Sequence, residues 1–297
     1  MLGRNDSEIA RLRAEQRELL DEVRELREQQ RLLVEGLTAR LEEVHRHLLA
    51  VGQVAVDDEA GTRRRLRAAR ASDAYAAAFE DPEPLVSIVI PTYENHEGLR
   101  TRAVPSALAQ SYANVEVVVV GDAAPDETER ALASLGDARV RYENLERRGP
   151  YPEDREGLWF TGGIPPLNRA LELARGAWIA VLNDDDAFRP RMVESLLALA
   201  REQRAEVAYG KLAFHEPGKP AWPLGRFPPT WHQFGWQMAL QHGALRLYEY
   251  ELSTHLFDEP GDWNRVRRMM RTGVRFAMLD ELVGDYWPNR LWNPEEA

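Results

Sequence analysis

The chain has 297 residues, of which 44% are hydrophobic and 29% charged, enough for one large folded domain or two small ones. The formal net charge of −11 argues against nucleic acid as a partner, and the absence of cysteine excludes disulfides and thiolate metal sites. No apolar run is long enough to span a bilayer, and the N-terminus is charged from the start. We therefore expect a cytoplasmic protein without a transmembrane segment or a secretory signal.

Residues 1–50 carry the pattern of a coiled coil. Apolar or glutamine side chains recur three and four residues apart from Ile9 to Leu37, and the spacing changes near Gly36. This seam predicts a helix that joins copies of the chain into a homo-oligomer. The alternative is an amphipathic helix that docks on its own domain.

Residues 51–84 show no clear hydrophobic period and predict a partly helical linker. They include a basic cluster made of Arg63, Arg64, Arg65, Arg67 and Arg70. Such a cluster suits contact with an anionic membrane surface, which would make the protein peripheral at the membrane, or it forms the solvated face of a helix.

From residue 85 onward, strands alternate with helices. Strands are predicted at 85–90, 115–120, 139–144 and 177–183, and helices at 96–112, 126–135, 165–176 and 189–203, the first of these interrupted by Pro105. The order predicts an α/β fold over residues 85–297, with a mostly parallel central sheet and helices on both faces.

Polar residues follow three of the predicted strands, where ligands bind in open α/β sheets. Pro91 to Asn95 follow the first strand, Asp122 the second, and Asp184, Asp185 and Asp186 the fourth. Clustered carboxylates repel one another, and Mg²⁺ or Mn²⁺, which prefers oxygen ligands, would neutralise them. Because Mg²⁺ is usually held by one or two carboxylates and substrate phosphates, a phosphorylated substrate is implied. The alternative is that the aspartates only form a turn and cap the next helix.

Three segments together resemble the family 2 inverting glycosyltransferases of the GT-A fold, a Rossmann-like architecture: "VSIVIPTYEN", "VEVVVVGDAAPDE" and "LNRALELARGAWIAVLNDDDAF". The resemblance implies a nucleotide-sugar half at 85–215 and an acceptor half at 216–297. It also implies metal-dependent transfer from a nucleotide-diphospho-sugar, expected to be UDP-linked, to the hydroxyl of a glycan, a lipid-linked acceptor or a small molecule.

The resemblance assigns roles to individual residues. The base and ribose would lie against Pro91, Thr92, Tyr93 and Glu94. Asp122 would accept a hydrogen bond from the base, Asp184 would face the ribose, and Asp185 or Asp186 would bind the metal. Asp262 would be the general base that takes the acceptor proton.

Other roles remain open on the residues alone. Asp262 also suits the N-cap of a helix at 263–273, and Asp258 and Glu259 are the near alternatives as base. The long connection 146–166 predicts a functional loop in which Arg155 is a candidate nucleotide contact. Tryptophans 222, 231 and 236 suit either sugar rings or a core.

Two rival functions remain. A catalytically silent GT-A domain would act as a scaffold, with the coiled coil as its working part. A nucleotidyltransferase of related fold would be expected to carry a glycine-rich phosphate loop after the first strand, where this chain has "PTYENHEG".

Overall fold

A computed structural model describes residues 2–288, and they divide into two units at the boundary between Val56 and Asp57. The first unit is a single helix, α1 (Leu2–Val56), which continues through Gly36 without a break. Three apolar seam positions, Leu19, Leu26 and Leu33, are 60–64% exposed. The helix predicted at 1–50 is present, and association between copies stays a prediction.

Residues 57–84 contain two helices that contribute side chains to the hydrophobic core: α2 (Glu59–Arg70) and α3 (Asp73–Glu80). Leu66, Tyr75 and Phe79 are buried in the hydrophobic core. Arg70 donates from Nε and Nη2 to both carboxylate oxygens of Glu206, at 2.7 and 2.6 Å, and Glu206 is fully buried. Part of the basic cluster thus serves internal packing.

The remaining helices follow in chain order: α4 (His96–Gly98), α5 (Val104–Leu108), α6 (Asp126–Ala133), α7 (Arg155–Thr161), α8 (Ile164–Leu173), α9 (Met192–Gln203) and α10 (Gly261–Thr272). The strands are β1 (Val86–Thr92), β2 (Val115–Gly121), β3 (Val140–Asn144), β4 (Trp178–Val181), β5 (Ala187–Phe188), β6 (Val207–Phe214), β7 (Trp222–Leu224), β8 (Ala239–His242) and β9 (Phe276–Tyr286). No helix of the described chain is long and apolar enough to cross a membrane.

Within residues 2–288, the strands form one sheet in the order β3-β2-β1-β4-β8-β6-β9-β5, and β7 pairs with β6. Strands β1 to β4 pair in parallel, as predicted. The later strands, β5 to β9, add one parallel pair, β6 with β9, and antiparallel pairs through β8, β7 and β5. The predicted α/β fold is confirmed. The central strands β1 and β2 are almost entirely buried, because helices cover both faces of the sheet.

The single helix predicted at 96–112 is divided. α4 leads into a π-helical turn at Leu99–Ala103, in which the N–H of Val104 bonds to the carbonyl of Leu99, and α5 ends at Leu108. Pro105 has no N–H to donate, so a regular α-helical bond to Thr101 is impossible, and the widened turn accommodates this gap.

Candidate functional site

The ends of β1, β2 and β4 meet at one edge of the sheet, and Thr92 connects them. The carbonyl of Thr92 accepts from the N–H of Asp122 at 2.8 Å. Its hydroxyl donates to Oδ2 of Asp184 at 2.7 Å. The polar residues that follow these separate strands are therefore in one place.

Asp122 lies in a small polar and aromatic recess. It is 3% exposed, and its carboxylate accepts from the N–H of Gly149 at 3.0 Å and from the hydroxyl of Tyr151 at 2.6 Å. The guanidinium of Arg148 lies 3.9 Å from Oδ2 of Asp122 and 4.1 Å above the ring of Tyr93. Since a carboxylate has about four lone-pair positions, Asp122 retains the capacity to accept from a further donor.

Gly121 precedes Asp122 where the resembled family often has a second acidic residue. A Cβ at this position would lie 2.7 Å from the hydroxyl of Tyr142 and closer still to the side-chain oxygen of Asn144. That oxygen accepts from the N–H of Ala124 at 2.8 Å. Any larger residue at 121 would displace the Asn144 side chain. This steric limit explains why no second acidic residue precedes Asp122.

The three aspartates after β4 have different surroundings. Asp184 accepts from Thr92 and, at 3.2 Å, from the side-chain amide of Asn95. Asp186 is fully buried, and its oxygens accept from the N–H of Trp287 at 3.0 Å and from the amide of Asn183 at 2.8 Å. Asp185 is half-buried and accepts from its own backbone N–H. In the described chain, Asp185 thus has the least engaged carboxylate of the three.

Burial raises the pKa of all three carboxyls, and repulsion by neighbouring aspartates adds to the increase for Asp185 and Asp186. The pKa of Asp185 rises to about 6, first through burial and then through the charge of Asp184. The positive charge of Arg102 opposes this increase in pKa, but it is the smallest of the effects. The Arg102 guanidinium donates to the backbone carbonyl of Asp185, at 2.7 Å, and lies 4.1 Å over the ring of Trp287. A cation brought to this edge would relieve the repulsion.

The donor set fits a divalent ion that is only partly held by protein. Between residues 2 and 288, no three His, Cys, Asp or Glu side chains are grouped so that they could enclose a metal. Mg²⁺ commonly binds through one or two carboxylates and completes its shell with water and substrate phosphates. Oxygen ligands alone, as here, also suit Mn²⁺.

Asp262 is the second residue of α10, and it does not cap that helix, because the N-cap is Pro260. Its carboxylate accepts from the N–H of Trp263 at 2.7 Å. Burial raises the pKa of Asp262 to about 6, and the charge of Glu259 adds to the increase. The alternative of an N-cap at 262 is therefore wrong, because the helix begins two residues earlier than the sequence suggests.

Tyr286, at the end of β9, connects Asp262 with the triplet. Burial raises the pKa of its hydroxyl, and the charges of Asp186, Asp185 and Asp262 raise it further. A single hydroxyl thus lies within electrostatic reach of the triplet and of Asp262.

The two other candidates for the base have different environments. Glu259 is 3% exposed, pairs with Nε of Arg267 at 2.7 Å and accepts from the amide of Asn264 at 2.9 Å. Asp258 is exposed, with a left-handed backbone (φ 50°). A buried, ion-paired glutamate is poorly placed to take a proton, so Asp262 remains the best candidate.

The remaining sequence candidates are less closely tied to these groups. Pro91 is half-buried at the end of β1, Glu94 is exposed, and Arg155 is exposed at the first residue of α7. The arginine found at Asp122 is Arg148, from the same segment 146–166. The length of segment 146–166 indicated that it is functional, but nothing in its composition favoured Arg148 over Arg155 as the arginine beside Asp122.

Several residues of the site were not foreseen. Tyr151 lies in the long connection 146–166, but nothing in the sequence distinguished it from its neighbours there. Tyr286 and Trp287 had no local signal, because only the pairing of β9 with β5 brings them to Asp186.

Known proteins with similar sequences and structures share these features of fold. The sequence profile of Glycosyl transferase family 2 matches residues 87–152 and 161–257, more than half of the chain, and stops before Asp262. The succinoglycan biosynthesis protein ExoO of Rhizobium meliloti is 38% identical over 133 residues, which is 44% of this chain and 34% of ExoO. The colanic acid glycosyl transferase WcaA of Escherichia coli, named as putative, is 30% identical over 39% of this chain and 37% of its own length. The chain therefore spans about a third of the curated relatives it matches.

Solved structures give the same fold at low identity. Staphylococcus aureus TarS in complex with UDP-GlcNAc superposes with a TM-score of 0.55 at 18% identity, over 69% of this chain and 59% of that one. The mannosyltransferase PcManGT of Pyrobaculum calidifontis, in complex with GDP-Man and Mn²⁺, gives 0.51 at 15%, over 82% and 70%. Taken with the profile match and the strand-end aspartates, these likenesses lead to one conclusion: this chain belongs to glycosyl transferase family 2.

Proposed function

We propose that the chain transfers a sugar from a nucleoside diphosphate sugar to an acceptor hydroxyl, with inversion at the anomeric carbon. The observation that carries the proposal is the meeting, at one sheet edge, of the Asp122 recess and the triplet 184–186 through Thr92. Family membership supports it, and so do the ligands of the similar structures, UDP-GlcNAc in TarS and GDP-Man in PcManGT.

The recess around Asp122 is the proposed nucleotide site. Tyr93 offers an aromatic face and Arg148 a planar cation, and both suit stacking on a base. The remaining acceptor capacity of Asp122 suits the ring N–H of uracil, so we expect a UDP-linked donor. Thr92 and Asp184, already hydrogen-bonded to each other, are the proposed ribose contacts.

Charge balance is the reason to propose a metal. The triplet is negative, a diphosphate adds further negative charge, and like charges at such distances repel strongly in a partly buried site. The nearby cations that we identify are Arg102 and Arg148, and Arg148 already faces Asp122. We propose that Asp185 holds Mn²⁺ or Mg²⁺, with Asp186 as a second carboxylate. When bound, the ion would neutralise the leaving diphosphate.

Asp262 is the proposed general base. The acceptor oxygen forms a bond to the anomeric carbon as its proton passes to the Asp262 carboxylate. The bond between the anomeric carbon and the β-phosphate oxygen breaks, and the nucleoside diphosphate leaves with the electron pair. With a pKa of about 6, Asp262 is ionised at neutral pH and more basic than an ordinary aspartate, which suits this role.

Nucleotide-sugar binding tests the proposal. UDP-glucose, UDP-N-acetylglucosamine, UDP-galactose and GDP-mannose are each added with MnCl₂, and melting temperature and nucleotide release are measured. A ligand at about 100 times its Kd stabilises the folded state by about 2.7 kcal/mol, or roughly 5–10 °C in Tm for a domain of this size. If no donor raises Tm or releases nucleotide, the proposal fails. Binding without turnover would favour the silent scaffold.

The Asp185→Asn variant sharpens the experiment. It keeps the shape of the side chain and removes the charge that we propose to hold the ion. We expect the Mn²⁺-dependent part of the Tm increase to disappear, while the exposed control Asp258→Asn behaves as wild type. Equal Mn²⁺ dependence in Asp185→Asn and wild type would remove Asp185 from the metal site.

A further inference from the structure

Aromatic side chains occupy one register position on three adjacent strands. Phe214 of β6 pairs with Tyr286 of β9 on one side and with Trp222 of β7 on the other. Paired residues project from the same face of a sheet, and the ring centroids confirm this, at 5.1 Å for Phe214–Tyr286 and 4.9 Å for Phe214–Trp222. These three residues, the aromatic row, form a continuous strip.

The inner end of the aromatic row lies at the acidic triplet. Ala187 of β5 pairs with Asp285 of β9, so Asp186 lies opposite Tyr286, and the N–H of Trp287 donates to Asp186 at 3.0 Å. The negative charges of Asp186, Asp185 and Asp262 raise the pKa of the Tyr286 hydroxyl, which burial already raises. The row therefore starts where the proposed transfer takes place.

The outer end of the aromatic row is open. Trp222 is 40% exposed, whereas Trp236, the core tryptophan of the same half, is 3% exposed. Adjacent strands are about 4.8 Å apart, so the three steps from Asp186 to Trp222 cover roughly 14 Å. A surface of this length exceeds what a single hydroxyl donor needs and suits an extended ligand.

The chemistry around the row favours a saccharide over a lipid tail. The turn between β6 and β7 carries Glu216 and Lys219, an exposed ion pair at 2.7 Å, and Tyr286 places a hydroxyl at the inner end. Charged and hydroxyl groups beside aromatic faces match a ligand that is apolar on its ring faces and hydroxylated at its edges. An acyl chain would make no use of these polar groups and would bury the Tyr286 hydroxyl against hydrocarbon.

We propose that the aromatic row is an acceptor subsite for an oligosaccharide. The terminal sugar presents its hydroxyl beside Tyr286 and Asp262, and the preceding rings stack along Phe214 and Trp222. This inference rests on the proposed transferase function and adds its acceptor class.

Trisaccharide binding by full-length protein saturated with UDP and Mn²⁺ provides the test. Cellotriose, maltotriose and N,N′,N″-triacetylchitotriose are titrated calorimetrically into wild type and three variants. We expect at least one to bind wild type, and Trp222→Ala to bind it on the order of tenfold more weakly, because the stacking face is lost. Trp222→Phe should recover part of the loss. Trp231→Ala is the matched control, since Trp231 is 41% exposed, stacks on His232 and lies outside the row.

Two readouts separate this inference from the proposed function. UDP with Mn²⁺ should raise the Tm of Trp222→Ala as much as that of wild type, which also shows that the variant is folded. If UDP fails to stabilise wild type, the transferase proposal itself fails. If UDP binds but no trisaccharide does, or Trp222→Ala and wild type bind equally, the acceptor subsite is overturned. Loss of phosphatidylglycerol-vesicle binding alone in Trp222→Ala would overturn it in favour of a lipid surface.

Discussion

Replacement of Asp262 by Asn tests whether this carboxylate takes part in catalysis or only in folding. The side-chain oxygen of Asn can still accept from the N–H of Trp263, which Asp262 accepts at 2.7 Å, and no N-cap is lost because Pro260 holds that position. The change removes only the charge and the ability to take a proton. We expect the transfer rate to fall by about 10²- to 10⁴-fold, the usual contribution of a general base.

The transfer rate of Asp262→Asn should fall, whereas its thermal stability should stay the same or rise. Burial raises the pKa of Asp262 from 3.8 to about 6, a shift equivalent to at most about 3 kcal/mol, and partial exposure reduces this. Because the folded pKa is raised, the folded state is penalised above about pH 6, and the penalty disappears as the pH falls towards 4. At pH 7, Asp262→Asn should therefore melt at or above the wild-type temperature.

The assay is nucleotide release with donor and acceptor, measured from pH 5 to 8. Wild-type kcat/KM should fall below about pH 6 as Asp262 is protonated, and Asp262→Asn should lack this acidic limb. Asp258→Asn is the control, since Asn tolerates the left-handed backbone of that exposed site. Near-normal transfer by a folded Asp262→Asn protein would refute the reasoning and return the role to Asp258 or Glu259.

Four further outcomes are expected. Excess chelator should abolish transfer by wild type, and added Mn²⁺ or Mg²⁺ should restore it. Full activity in excess chelator would show that transfer does not depend on a divalent metal. Arg148→Ala should weaken UDP binding on the order of tenfold without lowering Tm, as titration calorimetry can show. Removal of residues 1–56 should lower the oligomeric state while the remainder stays folded; an unchanged number of chains per particle in light scattering would contradict the coiled coil. Arg70→Met should destabilise by up to about 3 kcal/mol in denaturant melts, since it removes the bidentate partner of the buried Glu206 and leaves it with Tyr75 and the more distant Arg275, at 3.9 Å.

The stability lost in Arg70→Met should depend on pH, because Arg70 lowers the pKa of Glu206. Burial opposes its ionisation, but hydrogen bonds, led by that from Arg70, outweigh burial and hold its pKa below the ordinary value of 4.5. A lowered folded pKa contributes stability above about pH 4.5 that is lost as the pH falls through the folded value. The deficit of Arg70→Met relative to wild type should therefore narrow in acid.

The donor half was largely predictable because its signals are local. Each buried strand is a continuous apolar run, and the βαβ order places the carboxyl ends of parallel strands on one edge. Asp122 and Asp184 come directly after such runs, so their meeting through Thr92 followed from topology alone. The packing of residues 57–84 was not visible in the sequence: α2 carries few apolar residues, and its Arg70 forms an ion pair with Glu206, which is 136 residues away.

The acceptor half depends on strand register, which no local pattern contains. Between paired positions, β9 takes eight residue steps from Met278 to Tyr286, while β6 takes five from Tyr209 to Phe214, because the ladder is irregular around Lys211. The difference is odd, and side chains alternate faces at every step. Regular alternation would therefore place Tyr286 and Phe214 on opposite faces of the sheet. The irregularity brings the two rings to one face, and with it the aromatic row reaches the carboxylates.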